Sequence, residues 1–196
     1  TLLRTGDYDV LLTRDADVFV SLEDRVRLAH QRGADVFISL HADALAQGVA
    51  HGARIFTLSD EASDAASAAL AERHDRLDIL SGIDLNGADD VVTDVLLDLA
   101  RLETAPRARA LAKSVLAGIE NATGDLYKLP LQQAAFSVLK AADIPSILIE
   151  AGFLSTDQDL DNLVDPLWRA GFIAGLRDGL AAWVISDRAE AVLRRR

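Results

Sequence analysis

Cysteine and methionine are both missing from this 196-residue chain. Without cysteine there is no disulfide framework and no thiolate to act as nucleophile or ligand, a composition compatible with any compartment. Long apolar runs are missing too: no stretch approaches the roughly 18 uninterrupted apolar residues of a membrane span. Positive charge is in deficit, with a formal net charge of −11 and no basic stripe. Nucleic acid is therefore not expected as a partner, and an acidic surface disfavours anionic membranes. The start of the chain carries neither an initiator Met nor a secretory signal pattern. Its opening Thr1-Leu-Leu-Arg4 reads as the end of a helix, so an upstream segment is expected. There is no Gly-x-Ser-x-Gly elbow, no Walker loop and no dinucleotide fingerprint.

What is present is organised around the stretch Ile144-Pro-Ser-Ile-Leu-Ile-Glu-Ala-Gly-Phe-Leu-Ser155. The turn signal at Asp143–Pro145 leads into the apolar run 147–149, which reads as a strand covered on both faces and stops at one carboxylate, Glu150. In an open α/β sheet ligands bind beyond the carboxyl ends of such strands. A carboxylate there costs desolvation unless a metal, a donor or a substrate proton compensates it. The stretch Val36-Phe-Ile-Ser-Leu-His-Ala-Asp43 has the same design and ends in His41. A His and a Glu ending two neighbouring core strands suit a metal-assisted hydrolase. Each residue also has a plainer reading. His41 can be a satisfied core imidazole with Asp43 nearby, and Glu150 can pair with Arg14 or Arg54 at the sheet edge. His30 suits a helix C-terminus, where a cation is mildly favoured; His51 lies in a Gly-flanked loop.

The chain fills one good core and barely two, so one domain is the economical reading. Tyr8–Thr13 is strand-like. Ser21 caps a helix with Asp24 three residues on, ending at Gly33. A strand follows at Ala53–Leu58, then an Ala-rich helix from Asp60 to about Arg76 capped by Ser59. From about Leu77 to Asn121 the chain reads as a helical insertion. Ser81-Gly82 and Asn86-Gly87 break it, an amphipathic helix spans 88–103, and another follows Pro106. Leu129-Pro130 opens a loop, Phe136–Leu139 is a short strand, and one turn of helix starts at Thr156 or Asp157. The last large helix runs from Pro166 to about Ile185, burying Trp168, Phe172, Leu176, Leu180 and Trp183, with a polar helical tail after it. The expected fold is α/β: a central, mostly parallel twisted sheet with helices on both faces, plus the helical insertion over the cleft.

The segments Leu12-Thr-Arg-Asp-Ala-Asp17, Leu22-Glu-Asp-Arg25, Ala34–Asp43 and Asp143–Ser155 resemble the zinc-dependent N-acetylmuramoyl-L-alanine amidases, the cell-wall enzymes that help split the division septum. The resemblance covers nearly the whole chain. It implies a zinc ion held by two His and one Glu, with His41 matching the second zinc His and Glu150 matching the catalytic base. The family's first zinc His and its Glu ligand belong to an opening strand and first helix that precede Thr1, so residues 1–196 are expected to be an N-terminally incomplete catalytic domain. The implied reaction is hydrolysis of the amide between N-acetylmuramic acid and L-alanine in peptidoglycan, in the periplasm. In the septal members a helical segment covers the zinc cleft, supplies a carboxylate to the metal and is removed by a LytM-type activator. Leu70-Ala-Glu-Arg73, Asp78 and Gly82-Ile83 resemble the start of that segment. This makes about 70–105 a regulatory insertion and Glu72 the candidate blocking ligand, although His74-Asp75 stand where Glu-Asn is expected. The alternatives are a non-catalytic module on the same fold that binds peptidoglycan or a division partner, and a hydrolase of another amide.

Overall fold

A computed structural model describes residues 8–44, 50–80, 91–141 and 143–194. Four strands form one sheet in the order β1 (Phe37–Asp43), β4 (Ser146–Phe153), β2 (Ala53–Leu58), β3 (Leu126–Ala134). β1 runs parallel to β4 and β2 parallel to β3, while β2 and β4 are antiparallel, so the sheet is mixed and mostly parallel. Every residue of β4 is buried, as its unbroken apolar run predicts for a strand covered on both faces.

Strand alternation sends Ile55, Ile147 and Ile149 to one face, where they meet Leu111, Val115 and Ile119 of α3 (Val91–Thr123) and Phe172, Leu176 and Trp183 of α5 (Pro166–Arg194). Phe56 and Leu148 point to the other face and pack on Leu70 and Ala71 of α2 (Ala65–Leu80) and on Phe136 and Leu139. On that side α1 (Leu22–Gln31) buries Ala29 against Phe37 and Ile144. Helices therefore lie on both faces. α4 (Asp157–Val164) follows β4 and leads into α5.

α1 is capped as the sequence predicts: Ser21 Oγ accepts from Asp24 N at 3.1 Å, and Gly33 takes a φ of +61° after the last turn. Other expectations are corrected. Residues 8–20 form no strand; Arg25 ties this segment to α1 by donating to Thr13 Oγ1 and the Val20 carbonyl. α2 begins at Ala65 rather than Asp60 because Asp64, not Ser59, provides the cap, accepting from Ser67 N at 2.7 Å. Pro106 does not start a new helix: α3 is continuous over 33 residues with the proline inside it. There the missing N–H is tolerated where α5 grips the helix, Trp183 Nε1 donating to the Arg107 carbonyl and Arg107 pairing with Asp187 at 2.8 and 2.9 Å. Leu129-Pro130 lies within β3, a rim strand, where a residue without an N–H is accommodated. Ser137–Leu139 is a 3₁₀ turn, not a strand. The predicted breaks at Ser81-Gly82 and Asn86-Gly87 lie outside the described residues.

α3 and α5 approach backbone to backbone. A Cβ on Gly118 would strike the Gly175 carbonyl oxygen, one on Gly175 the Gly118 carbonyl oxygen, and one on Gly179 the Ser114 carbonyl oxygen.

Candidate metal centre

The parallel register of β1 and β4 sets His41 directly beside Glu150. Residues paired in this way share a face, so the two strand-end groups singled out from the sequence point together, toward α2. That helix contributes His74, whose ring lies 4.6 Å from the His41 ring, centroid to centroid, and meets the edge of Phe136 at 5.5 Å. His74 Nε2 lies 3.8 Å from Glu150 Oε1 and 3.5 Å from Asp43 Oδ2. Arg73 holds α2 to the end of β1, donating to the Asp43 carboxylate and, at 2.8 Å, to the Ala44 carbonyl. One nitrogen each from His41 and His74 and one oxygen from Glu150 all lie within 4.8 Å of one another.

Burial shapes the charges here. Glu150 is fully buried, and neither carboxylate oxygen accepts a hydrogen bond. Desolvation pushes its pKa from 4.5 up to about 7, with Arg54 and then Arg73 pulling the other way. The His41 pKa falls from 6.5 to about 4, first through burial and then through the neighbouring His74. His41 is therefore neutral at neutral pH, with a lone pair to give to a cation. Two imidazoles converging on one space suit Zn²⁺, and the orphaned buried oxygens of Glu150 beside them are placed for a base acting on a water held there.

Neither Arg14 nor Arg54 pairs with Glu150 through a hydrogen bond. Arg14 Nη1 donates to the Val18 carbonyl, and Arg54 Nη1 to Gln132 Oε1 at 3.3 Å. Glu72 is exposed on α2. Residues two apart on an α-helix are about 200° apart around its axis, so a helix that aims His74 at the sheet turns Glu72 away from it. His74 is the site residue that reading the sequence missed. Its signal was there, as the position where His-Asp stands in place of Glu-Asn. His30 lies elsewhere, paired with Asp143 at 2.8 Å. His51 forms a second grouping with Asp125 and Asp159, but Asp159 already accepts hydrogen bonds from Gly52 N and Phe153 N.

Residues 1–182 match a family model described as N-acetylmuramoyl-L-alanine amidase. The N-acetylmuramoyl-L-alanine amidase AmiA of Escherichia coli K12 is 34% identical over 93% of this chain and 63% of its own length. AmiC of Neisseria meningitidis serogroup B is 33% identical over 90% of this chain and 42% of its own. The chain thus spans less than two thirds of the length of these relatives. Among solved structures, the CwlD amidase from Clostridioides difficile, in complex with the GerS lipoprotein, aligns with a TM-score of 0.64 at 17% identity, over 94% of this chain and 80% of that one. At that identity the likeness is one of fold.

Proposed function

The chain belongs to the N-acetylmuramoyl-L-alanine amidase family, and from that premise we propose that it is the catalytic part of a zinc-dependent peptidoglycan hydrolase that cuts the bond between N-acetylmuramic acid and the L-alanine of the stem peptide. The observation that carries this proposal is the pairing of His41 with a fully buried Glu150, neither of whose oxygens accepts a hydrogen bond, at one end of the sheet. In this proposal His41 holds the ion, with His74 as the second imidazole within reach. Zinc, when bound, polarises the scissile carbonyl and makes a water more acidic. Glu150 takes the water's proton and returns it to the leaving L-alanine nitrogen. A pKa near 7 suits both halves of that exchange, because the group is neither too weak to accept the proton nor too strong to release it. The fully buried strand end keeps bulk water from competing for the carboxylate.

The same geometry supports autoinhibition by the segment that includes α2. His74 occupies space beside Glu150 that an incoming amide needs, and Arg73 fastens the helix there. The blocking ligand proposed is accordingly His74 in preference to Glu72. Release of about 70–105 by a LytM-type partner protein, action in the periplasm and a role in daughter-cell separation complete the proposal. No helix among the described residues is long and apolar enough to cross a membrane.

The test is to incubate zinc-loaded protein with purified peptidoglycan and identify the fragments by mass spectrometry. Free stem peptides beginning at L-alanine, beside glycan strands that keep the lactyl group, are expected, and a chelator abolishes them. Cleavage at any other bond, or chelator-resistant cleavage, refutes the assignment.

A further inference from the structure

Arg54 lies on β2 with only 3% of its surface exposed. Burial lowers its pKa, so a charged guanidinium is held there at a cost. A cation stays in such a place when an opposite charge compensates it. Its guanidinium carbon sits 4.8 Å from the ring centroids of Phe56 and Phe153 and 5.2 Å from that of Tyr127. Gln132 accepts from Nη1, and Gln132 Nε2 in turn donates to Asp64 Oδ2 at 2.9 Å. Its Nε has no acceptor.

Across the antiparallel pair of β2 and β4, Arg54 stands directly opposite Glu150. Residues so placed share a face, with Cβ atoms about 5 Å apart. A buried cation and a buried carboxylate are thus neighbours, yet no hydrogen bond reaches either carboxylate oxygen. For a base this arrangement has a chemical use. A donor on the carboxylate would occupy the lone pair that must receive the proton. A cation held nearby by aromatic rings and Gln132 attracts the anion while leaving both oxygens open. Arg73 also acts on Glu150, but it is partly exposed and engaged with Asp43.

We propose that Arg54 is a positioning residue: a fixed counter-charge, set by the rings of Phe56, Tyr127 and Phe153, that holds the Glu150 carboxylate ready without occupying its oxygens. The proposal rests on the amidase activity put forward above. It acts through Glu150, and Arg54 itself touches no substrate.

The test compares the full chain with Arg54→Met, Arg54→Lys, Glu150→Gln, Asp64→Asn and the pairs Arg54→Met with Glu150→Gln and Arg54→Met with Asp64→Asn. Thermal unfolding and zinc-dependent release of stem peptide are measured at one pH. Arg54→Met should lower Tm by roughly 10 °C, because it leaves a buried charge without its partner. Adding Glu150→Gln should recover at least half of that loss, and Arg54→Lys should stay near the parent. In turnover, Arg54→Met should lower kcat by about tenfold or more with KM unchanged, Arg54→Lys should restore most of it, and Arg54→Met should cost nothing further on the Glu150→Gln background. Should Arg54→Met alone fail to fold, folding of its pair with Glu150→Gln is the same rescue. Additive Tm changes, rescue by Asp64→Asn in place of Glu150→Gln, or parental kcat in Arg54→Met each overturn the proposal. A chain that cleaves no peptidoglycan removes the proposed activity alone, since the melting comparison needs no turnover.

Discussion

Replacing Glu150 by Gln keeps the shape of the side chain and removes its charge, and the consequences for folding can be worked out from its surroundings. In the metal-free protein the carboxyl pKa rises from 4.5 to about 7, chiefly because it is buried. At about 1.4 kcal/mol for each pH unit, that rise is worth about 3 kcal/mol. The sign follows from proton counting. Between pH 4.5 and 7 the folded state binds a proton that the unfolded state has released, so stability falls as pH rises through this window and levels off above it. Glu150→Gln cannot ionise and lacks this decline. Its amide N–H groups are buried without an acceptor, which costs about 1–3 kcal/mol at every pH. His41 contributes an opposite slope in both proteins. Its lowered pKa costs stability as pH falls from 6.5 toward 4, so it cancels in the difference. The assay is urea unfolding of chelator-treated parent and variant from pH 4.5 to 8. The stability of the variant minus that of the parent should climb by about 3 kcal/mol and pass from negative toward positive. A difference that stays flat across this range refutes the account of Glu150 as a carboxylate whose desolvation outweighs the pull of Arg54 and Arg73. With zinc restored, the variant should lose roughly a hundredfold to ten-thousandfold in peptidoglycan cleavage, the usual cost of removing a positioned acid–base group.

Three further outcomes follow from the geometry. His74→Ala should weaken zinc binding by about tenfold or more in a chelator competition and raise cleavage in the absence of any activator; if neither changes, His74 is not a blocking ligand. Asp159→Ala removes a 2%-exposed carboxylate that accepts from Gly52 N and, at 2.7 Å, from Phe153 N; a loss of about 3 kcal/mol is expected by denaturant titration, and a loss below about 0.5 kcal/mol refutes its anchoring role. Gly175→Ala would drive a methyl group into the Gly118 carbonyl and part α3 from α5; a cost of about 3 kcal/mol should appear as a Tm lower by roughly 6–12 °C, and an unchanged Tm would contradict the close crossing.

The sequence was most legible where one physical signal dominated. The apolar runs before His41 and Glu150 read as strands and both are, but only β4 is covered on both faces; β1 lies at the sheet's edge and leaves Leu40 62% exposed, so the expectation of cover holds for one of the two. His41 and Glu150 are in register in the structure. It was least legible where distant contacts outweighed local preference. Pro106 looks like a helix start because its ring forbids an N–H bond, yet α5 holds α3 together across it. Tyr8–Thr13 has strand composition but no partner strand among the described residues. His74 was harder still. Nothing in a helix rich in alanine says which side faces the sheet until Leu70 and Ala71 are seen packed on Phe56 and Leu148, which fixes the rotation and turns position 74 toward Glu150 and position 72 to the surface.

The outer side of β3 has a further effect. At a sheet's rim, unpaired main-chain groups invite a strand from another molecule to lie alongside. On this rim Ser63 donates its N–H to the Gln133 carbonyl and its Oγ accepts from Gln133 N, and the exposed Lys128 stands further along the strand. A visiting chain would meet groups already taken and a charge it must dehydrate, so growth of the sheet from this side into aggregates is discouraged.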